Sequence, residues 1–263
     1  LNKVFLPNSG AEANEGAIKL AYKYHEGKKK YLLHSDISFH GKLLGTGSIS
    51  SSQEADFEFP GLTNIDKFEY NNIISLEDKV KKYKDNIYGI IIEPYSASSL
   101  RSSSKEFLFK LRKICDDNNI VLIFDEVFTG WAKTGELFYF LHHENLIPDI
   151  LTFSKSFGGG KASISGYVVK DKFFAKSYDS LKDFNLHSST YNGFGEENIT
   201  ALEAVNIIVE EDYSNKAKII GTKINSGLLK IKEKYPNIIK EIRGKGLLIG
   251  IQLHTDQKKF IKK

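Results

Sequence analysis

Methionine is absent from the 263 residues, and cysteine and tryptophan occur once each, as Cys115 and Trp131. A single thiol excludes a disulfide framework within the chain, so a reducing, cytoplasmic setting is expected. No apolar run approaches the roughly 20 residues that cross a bilayer as a helix, so a membrane-spanning role is not expected. An excess of one charge sign is also missing: 37 Lys and Arg stand against 33 Asp and Glu, a net +4 spread along the chain. So diffuse a balance, with local excess only at Lys28-Lys29-Lys30 and in the last few residues, carries no nucleic-acid footprint. There is no signal-like beginning, and the chain runs from Leu1 to the basic tail Lys258-Lys259-Phe260-Ile261-Lys262-Lys263. Together with the missing methionine, these ends lead us to expect a fragment of a longer protein.

What is there is an ordinary apolar share, 41%, sufficient for a core. The length suits one large α/β domain, or one domain and part of another. Apolar runs at Lys30 to Ile37, Ile87 to Glu93, Ile120 to Val127 and Ile164 to Val169, and the short one between Asp149 and Lys155, read as strands. Helical spacing marks the stretch after Gly10, then Ser75 to Lys84, Lys105 to Asn118, Asp171 to Lys182, Glu197 to Glu210 and Ser214 to Tyr235. Strand, helix, strand in this rhythm predicts parallel pairing through right-handed crossovers. Ser48 to Ser52 and Glu54 to Asn72 read as irregular connections, as does the serine-rich Tyr95 to Ser104. Arg243-Gly244-Lys245-Gly246 reads as a glycine-rich turn before a strand over Leu247 to Leu253. No internal repeat appears.

Three features bear on chemistry. Lys155 follows a strand and precedes Gly158-Gly159-Gly160, so its amine is mounted on a rigid element beside an opened turn, as an imine-forming lysine requires. Asp125 ends another apolar strand, and two strand ends can meet at one edge of a sheet. Ser9 and Gly10 stand at a helix start, where free amides attract either a capping side chain or an anionic ligand; capping is the commoner outcome. Together they meet the needs of a pyridoxal phosphate site: a lysine for the aldehyde, amides for the phosphate, and a carboxylate for the ring nitrogen.

At these residues the chain resembles the class III aminotransferases of the fold type I pyridoxal phosphate enzymes. Asn8 to Glu15 resembles the phosphate-binding segment, Ser38-Phe39-His40-Gly41 the aromatic-His-Gly turn, and Ile92-Glu93-Pro94 the Glu-Pro strand end. Asp125-Glu126-Val127 with Thr129-Gly130 and Thr134-Gly135 resembles the central signature, and Pro148-Asp149-Ile150 with Ser154 to Gly160 the lysine segment. The resemblance implies a large domain with a mostly parallel seven-stranded sheet flanked by helices over residues 1–212. It also implies a linking helix and the start of a small α+β domain over 213–263. By the same likeness Lys155 carries the cofactor, Asp125 pairs with its ring nitrogen, and Ser9, Gly10 and Ala11 hold its phosphate. Phe39 and Val127 then flank the ring, His40 belongs to the cofactor-binding turn, and Thr190 beside Ser189 reaches the phosphate of a neighbouring subunit in a homodimer. The implied activity is ping-pong transfer of an amino group from an amino acid or amine to a keto acid or aldehyde. This chain departs from the family's pattern at Phe128, where many members are polar, at Lys133, where they have arginine, and in the serine-rich loop after Pro94.

Rival readings start from the same residues. An aminomutase or decarboxylase of the same fold shares the cofactor core. A nicotinamide-dependent reductase would use Tyr178 and Lys182, but no glycine-rich dinucleotide turn follows a first strand. Gly158-Gly159-Gly160-Lys161 fails as a nucleotide loop because Ala162 stands where a hydroxyl is needed. His142-His143-Glu144 reads as a solvated loop rather than a metal patch.

Overall fold

A computed structural model describes residues 1–51 and 60–255. Its elements run β1 (Lys3–Phe5), α1 (Gly10–Tyr24), β2 (Tyr31–Ser35), α2 (Leu44–Ser48), β3 (Ile65–Phe68), α3 (Ile73–Tyr83), β4 (Ile87–Ile92), β5 (Tyr95–Ser96) and β6 (Arg101–Ser102). They continue with α4 (Lys105–Asp117), β7 (Val121–Asp125), β8 (Ile150–Phe153), β9 (Gly166–Val169), α5 (Asp171–Tyr178), α6 (Gly195–Glu210), α7 (Tyr213–Lys234), β10 (Ile239–Lys245) and β11 (Leu248–Leu253). Seven strands form one sheet in the order β1-β9-β8-β7-β4-β2-β3. From β8 to β3 all neighbours are parallel, while β9 runs antiparallel to β8 and β1 antiparallel to β9.

The central strands are apolar on both faces because helices cover both. Side-chain alternation divides β7 between two cores: Leu122 and Phe124 join Leu76, Leu108 and Leu111 under α3 and α4, whereas Val121 and Ile123 join Ala17, Leu20 and Ala21 under α1. Cys115 lies fully buried in the first of these cores. Helix starts are fixed locally, α3 by Asn72, whose side-chain oxygen accepts from Ile74 and Ser75 amides, and α4 by Ser104, whose hydroxyl accepts from Phe107. Between the strands, buried Asp149 accepts from the Leu122 amide at 3.0 Å and pairs with Arg112 at 3.0 Å and Lys170 at 2.7 Å. That residue of the expected lysine segment therefore clamps the β7–β8–β9 region together.

Several expectations are corrected. The supposed irregular stretch up to Asn72 contains the edge strand β3, whose Ile-Asp-Lys-Phe sequence is too short and too polar to show as an apolar run; positions 52–59 of that stretch lie outside the described residues. The serine-rich segment after Pro94 holds the small antiparallel hairpin β5–β6. Arg243 to Lys245 belong to β10, and the reversal falls at Gly246 and Leu247. Gly246 has φ +59°, and a Cβ there would sit 2.5 Å from the Lys133 carbonyl, so the turn requires glycine. Of the expected solvated loop, Glu144 is exposed while His142 and His143 are half-buried, both packed edge-on against Tyr139, and burial lowers the His142 pKa to about 4. Tyr178 is buried in the core beneath α1. Among the described residues no helix is long and apolar enough to cross a membrane.

Candidate active site

Parallel pairing of β7 with β8 sets the site. Asp125 is in register with Thr152, so Lys155 lies three residues farther along the neighbouring strand, beyond the same C-terminal edge of the sheet. Open α/β sheets place their ligand crevices at that edge. Directly after β8 the chain turns: Lys155 adopts φ +52°, a left-handed conformation, and Gly159 at φ +60° closes the short helical turn. A lysine held left-handed costs on the order of 1–2 kcal/mol, strain of the kind concentrated at functional sites. Its side chain is exposed, with Nζ 5.7 Å from the centre of the Phe128 ring. At Phe128, where the family pattern is often polar, an aromatic face meets the amine.

Asp125 is 3% exposed, yet donors converge on both its oxygens. Oδ2 accepts from Asn14 Nδ2 at 2.7 Å and from His40 Nδ1 at 2.8 Å; Oδ1 accepts from the Val127 amide at 2.9 Å, with the Thr152 hydroxyl at 3.4 Å. Asn14 is itself held, donating to the His40 carbonyl at 2.8 Å and accepting from Thr152 at 2.6 Å. Sequence reasoning missed both Asn14 and Thr152. The available signal for Asn14 was a polar residue in phase with Ala13 and Ala17 on the apolar face of α1.

Two further carboxyls support the edge. Glu93, 2% exposed at the end of β4, accepts from the amides of Phe39 and Ala97 at 3.0 Å each, and so fixes the turn that presents Phe39. Burial, and secondarily the charge of Asp125, push its pKa up to about 7 against the opposing pull of His40. Fully buried Glu126 accepts from Thr129 and from the amides of Tyr139 and Phe140, and burial likewise raises it to about 7. Phe39 is half-buried and His40 buried, its amide donating to Ser50 and its Nε2 lacking a partner among the described residues.

At the start of α1 the commoner outcome is realised for Ser9. Its hydroxyl accepts from the Glu12 amide at 3.3 Å and donates to the Glu12 carboxylate at 2.8 Å. The amides of Gly10 and Ala11 have no acceptor within the helix, as for any first turn. Gly10 abuts the other segments: a Cβ there would lie 2.7 Å from Val127 Cγ1 and 3.4 Å from Ser154 Cβ. The helix start, Val127 and the residue before Lys155 thus converge on one point. Thr190 stands exposed in the turn before α6, and no hydrogen bond joins it to the Asp125 cluster.

The residues fit a pyridoxal phosphate group in donor chemistry: a reachable amine, a buried carboxylate one strand away, and first-turn amides against a glycine that leaves room. Comparisons agree with this geometry. An acetylornithine aminotransferase of Caldanaerobacter subterraneus subsp. tengcongensis is 33% identical over 260 residues, covering 97% of this chain and 63% of that protein. An uncharacterized aminotransferase of Schizosaccharomyces pombe is 30% identical over 263 residues, covering 97% of this chain and 53% of that protein. The chain thus spans between about half and two thirds of the length of these curated relatives. Among solved structures, the ornithine aminotransferase of Toxoplasma gondii superposes with TM-score 0.88 at 26% identity, covering 98% of this chain and 61% of that one. A transaminase from the marine bacterium Virgibacillus gives 0.89 at 27%, with 98% and 61% covered. The sheet, its helices and these neighbours together make this the fold type I architecture. The aminotransferase class-III family matches residues 2–263, and the chain belongs to that family.

Proposed function

We propose that this chain carries the cofactor site of a pyridoxal phosphate-dependent aminotransferase that moves an amino group from an amino acid or amine to a keto acid or aldehyde in two half-reactions. The observation that supports it most is the β7–β8 register, which brings Lys155 and Asp125 to one sheet edge beside the start of α1. When bound, pyridoxal phosphate supplies a carbonyl that condenses with amines and a ring that accepts electrons from the substrate carbon. Lys155 would hold it covalently and, once displaced by substrate, take a proton from the amine-bearing carbon and return it on the opposite step. Asp125, oriented by Asn14, His40 and Val127, would face the ring nitrogen. Gly10 and Ala11 would give amides to the phosphate, Ser9 would fix the helix start they lie on, and Phe39 and Val127 would bound the ring.

In this reading the working form is a cytoplasmic homodimer in which Thr190 serves the neighbouring subunit's phosphate. Residues 1–212 are the cofactor-binding part. Residues 213–263 begin a second unit, the break falling at Asp212, which caps α7 in a left-handed conformation.

The test is covalent. The chain is incubated with pyridoxal phosphate, reduced with borohydride and mapped by mass spectrometry. A phosphopyridoxyl mass on Lys155, absent in Lys155→Ala, is expected; label scattered over surface lysines refutes the site. A screen of amino donors, read by keto product, then tests transfer.

A further inference from the structure

Lys133 is an amine for which the reaction above has no use. Its backbone is pinned in the turn after β7: the two preceding residues, Trp131 and Ala132, have φ of +67° and +71°, and the Lys133 carbonyl accepts from the Leu247 amide at 2.9 Å. Its Nζ, half-buried, makes one hydrogen bond, to Ser156 Oγ at 3.1 Å, and no carboxylate lies within ion-pair distance of it among the described residues. Both Lys133 and Ser156 line a cavity of about 850 Å³ bounded by Trp131, Ile199, Ala204, Ile207, Ala217 and Ile220. Volume and lining are those of a small-molecule site.

We propose that Lys133 is a second imine-forming amine, and that this cavity receives the hydrocarbon chain of an aldehyde whose carbonyl carbon the amine attacks. The neutral amine forms the carbon–nitrogen bond, the carbonyl oxygen leaves as water with both amine hydrogens, and a carbon–nitrogen double bond remains; no oxidant is involved. Ser156, already within hydrogen-bond distance of the amine, is placed to pass protons to the departing oxygen. Charge favours the neutral amine. Burial first, then the Lys155 ammonium, lowers the Lys133 pKa to about 8, opposed only in part by Glu126. Lys161, Lys216 and Glu203 line the same cavity. Nothing in this step requires pyridoxal phosphate, so it stands or falls separately from the aminotransferase reading.

At pH 7.5 an amine of pKa about 8 is about one quarter neutral, against about 0.1% for an ordinary lysine near 10.5, so a reactivity excess on the order of a hundred-fold is expected. The full chain is treated at pH 7.5 with limiting octanal or acetaldehyde and cyanoborohydride, and alkylated lysines are mapped by mass spectrometry, Lys155 being read on its own peptide. Lys133 is expected to label roughly a hundred-fold faster than surface lysines, with at least a ten-fold larger preference for octanal than for acetaldehyde. Lys133→Arg should remove the label. Ile199→Glu, at a position 71% exposed and therefore tolerant of change, should abolish the octanal preference while acetaldehyde still reacts. Labelling no faster than surface lysines overturns the proposal, as does an equal preference for the two aldehydes.

Discussion

Replacing Asn14 with aspartate tests whether the Asp125 cluster is held as described. The change is nearly isosteric, but it turns a donor at 2.7 Å from Asp125 Oδ2 into a second carboxylate oxygen in a site 1% exposed. One charge-assisted hydrogen bond goes and the His40 carbonyl loses its donor, a cost of about 2–3 kcal/mol that Asn14→Ala shares. The aspartate adds a penalty of its own, because two buried carboxylates in contact cannot both ionise cheaply, so the folded pair holds a proton that the unfolded chain releases. An acid whose folded pKa is raised carries no penalty below its unfolded value of about 3.9 and gains one as pH climbs to the folded value, about 1.4 kcal/mol per unit. Asn14→Asp should therefore lose about 3 kcal/mol more than Asn14→Ala between pH 5 and pH 8. Urea titrations followed by the fluorescence of Trp131, which is buried and stacked on Phe157, give both curves without adding salt. If the two variants lose stability in parallel across this range, the Asn14–Asp125 contact is not as drawn.

Three further outcomes follow from the same edge. Glu93, raised to about 7, destabilises the fold progressively as pH rises from its unfolded value of about 4.5 through 7, so Glu93→Gln should flatten the pH dependence of the unfolding free energy from urea titration by about 3 kcal/mol over that window. Lys155→Gly should abolish borohydride-fixed cofactor yet raise stability by about 1 kcal/mol in thermal or urea melts, since glycine adopts φ +52° without strain. Gly10→Ala should cost about 1–3 kcal/mol through the 2.7 Å approach to Val127, and Val127→Ala in the same chain should recover most of that loss; a failure to recover would place the strain elsewhere.

The legibility of this site follows from where its residues stand in the apolar pattern. Lys155 and Asp125 end runs of buried aliphatic residues, so a polar side chain there announces itself, and the sheet's parallel order brings the two ends together. Asn14 and Thr152 sit inside helix and strand, where a polar residue reads as a solvent-facing position until the opposite element is known. The edge strand β3 was hidden because a strand flanked on one side needs few apolar residues, and its partner β2 supplies the register. Gly10 was legible as a helix start, but not as the contact point of three segments, which depends on Val127 and Ser154 arriving from β7 and β8. Lys133 stood out in the sequence only as a departure from the family's arginine: its low pKa arises from burial and from Lys155, and neither can be read from the turn it occupies.

What joins these residues is where the fold gives up stability. Trp131, Ala132 and Lys155 are left-handed without being glycine, and Glu93 and Glu126 keep raised pKa values in full or near-full burial. Glu93, Glu126 and Lys155 lie within two residues of the C-terminal ends of β4, β7 and β8, and Trp131 and Ala132 in the turn that follows β7, whereas apart from Thr152 these strand interiors carry no polar side chain that joins the site and Asp149, at the other end of β8, is paired with Arg112 and Lys170. Selection for stability alone would remove such features, since glycine at the strained turns and neutral polar groups at the buried acids are available to any sequence. Left-handed non-glycine residues also occur in exposed turns elsewhere, at Glu26, Lys84 and Asp212 for example, so the argument for chemistry at this edge rests on the two buried acids beside Asp125 together with the strain at Lys155, and it needs no resemblance to any other protein.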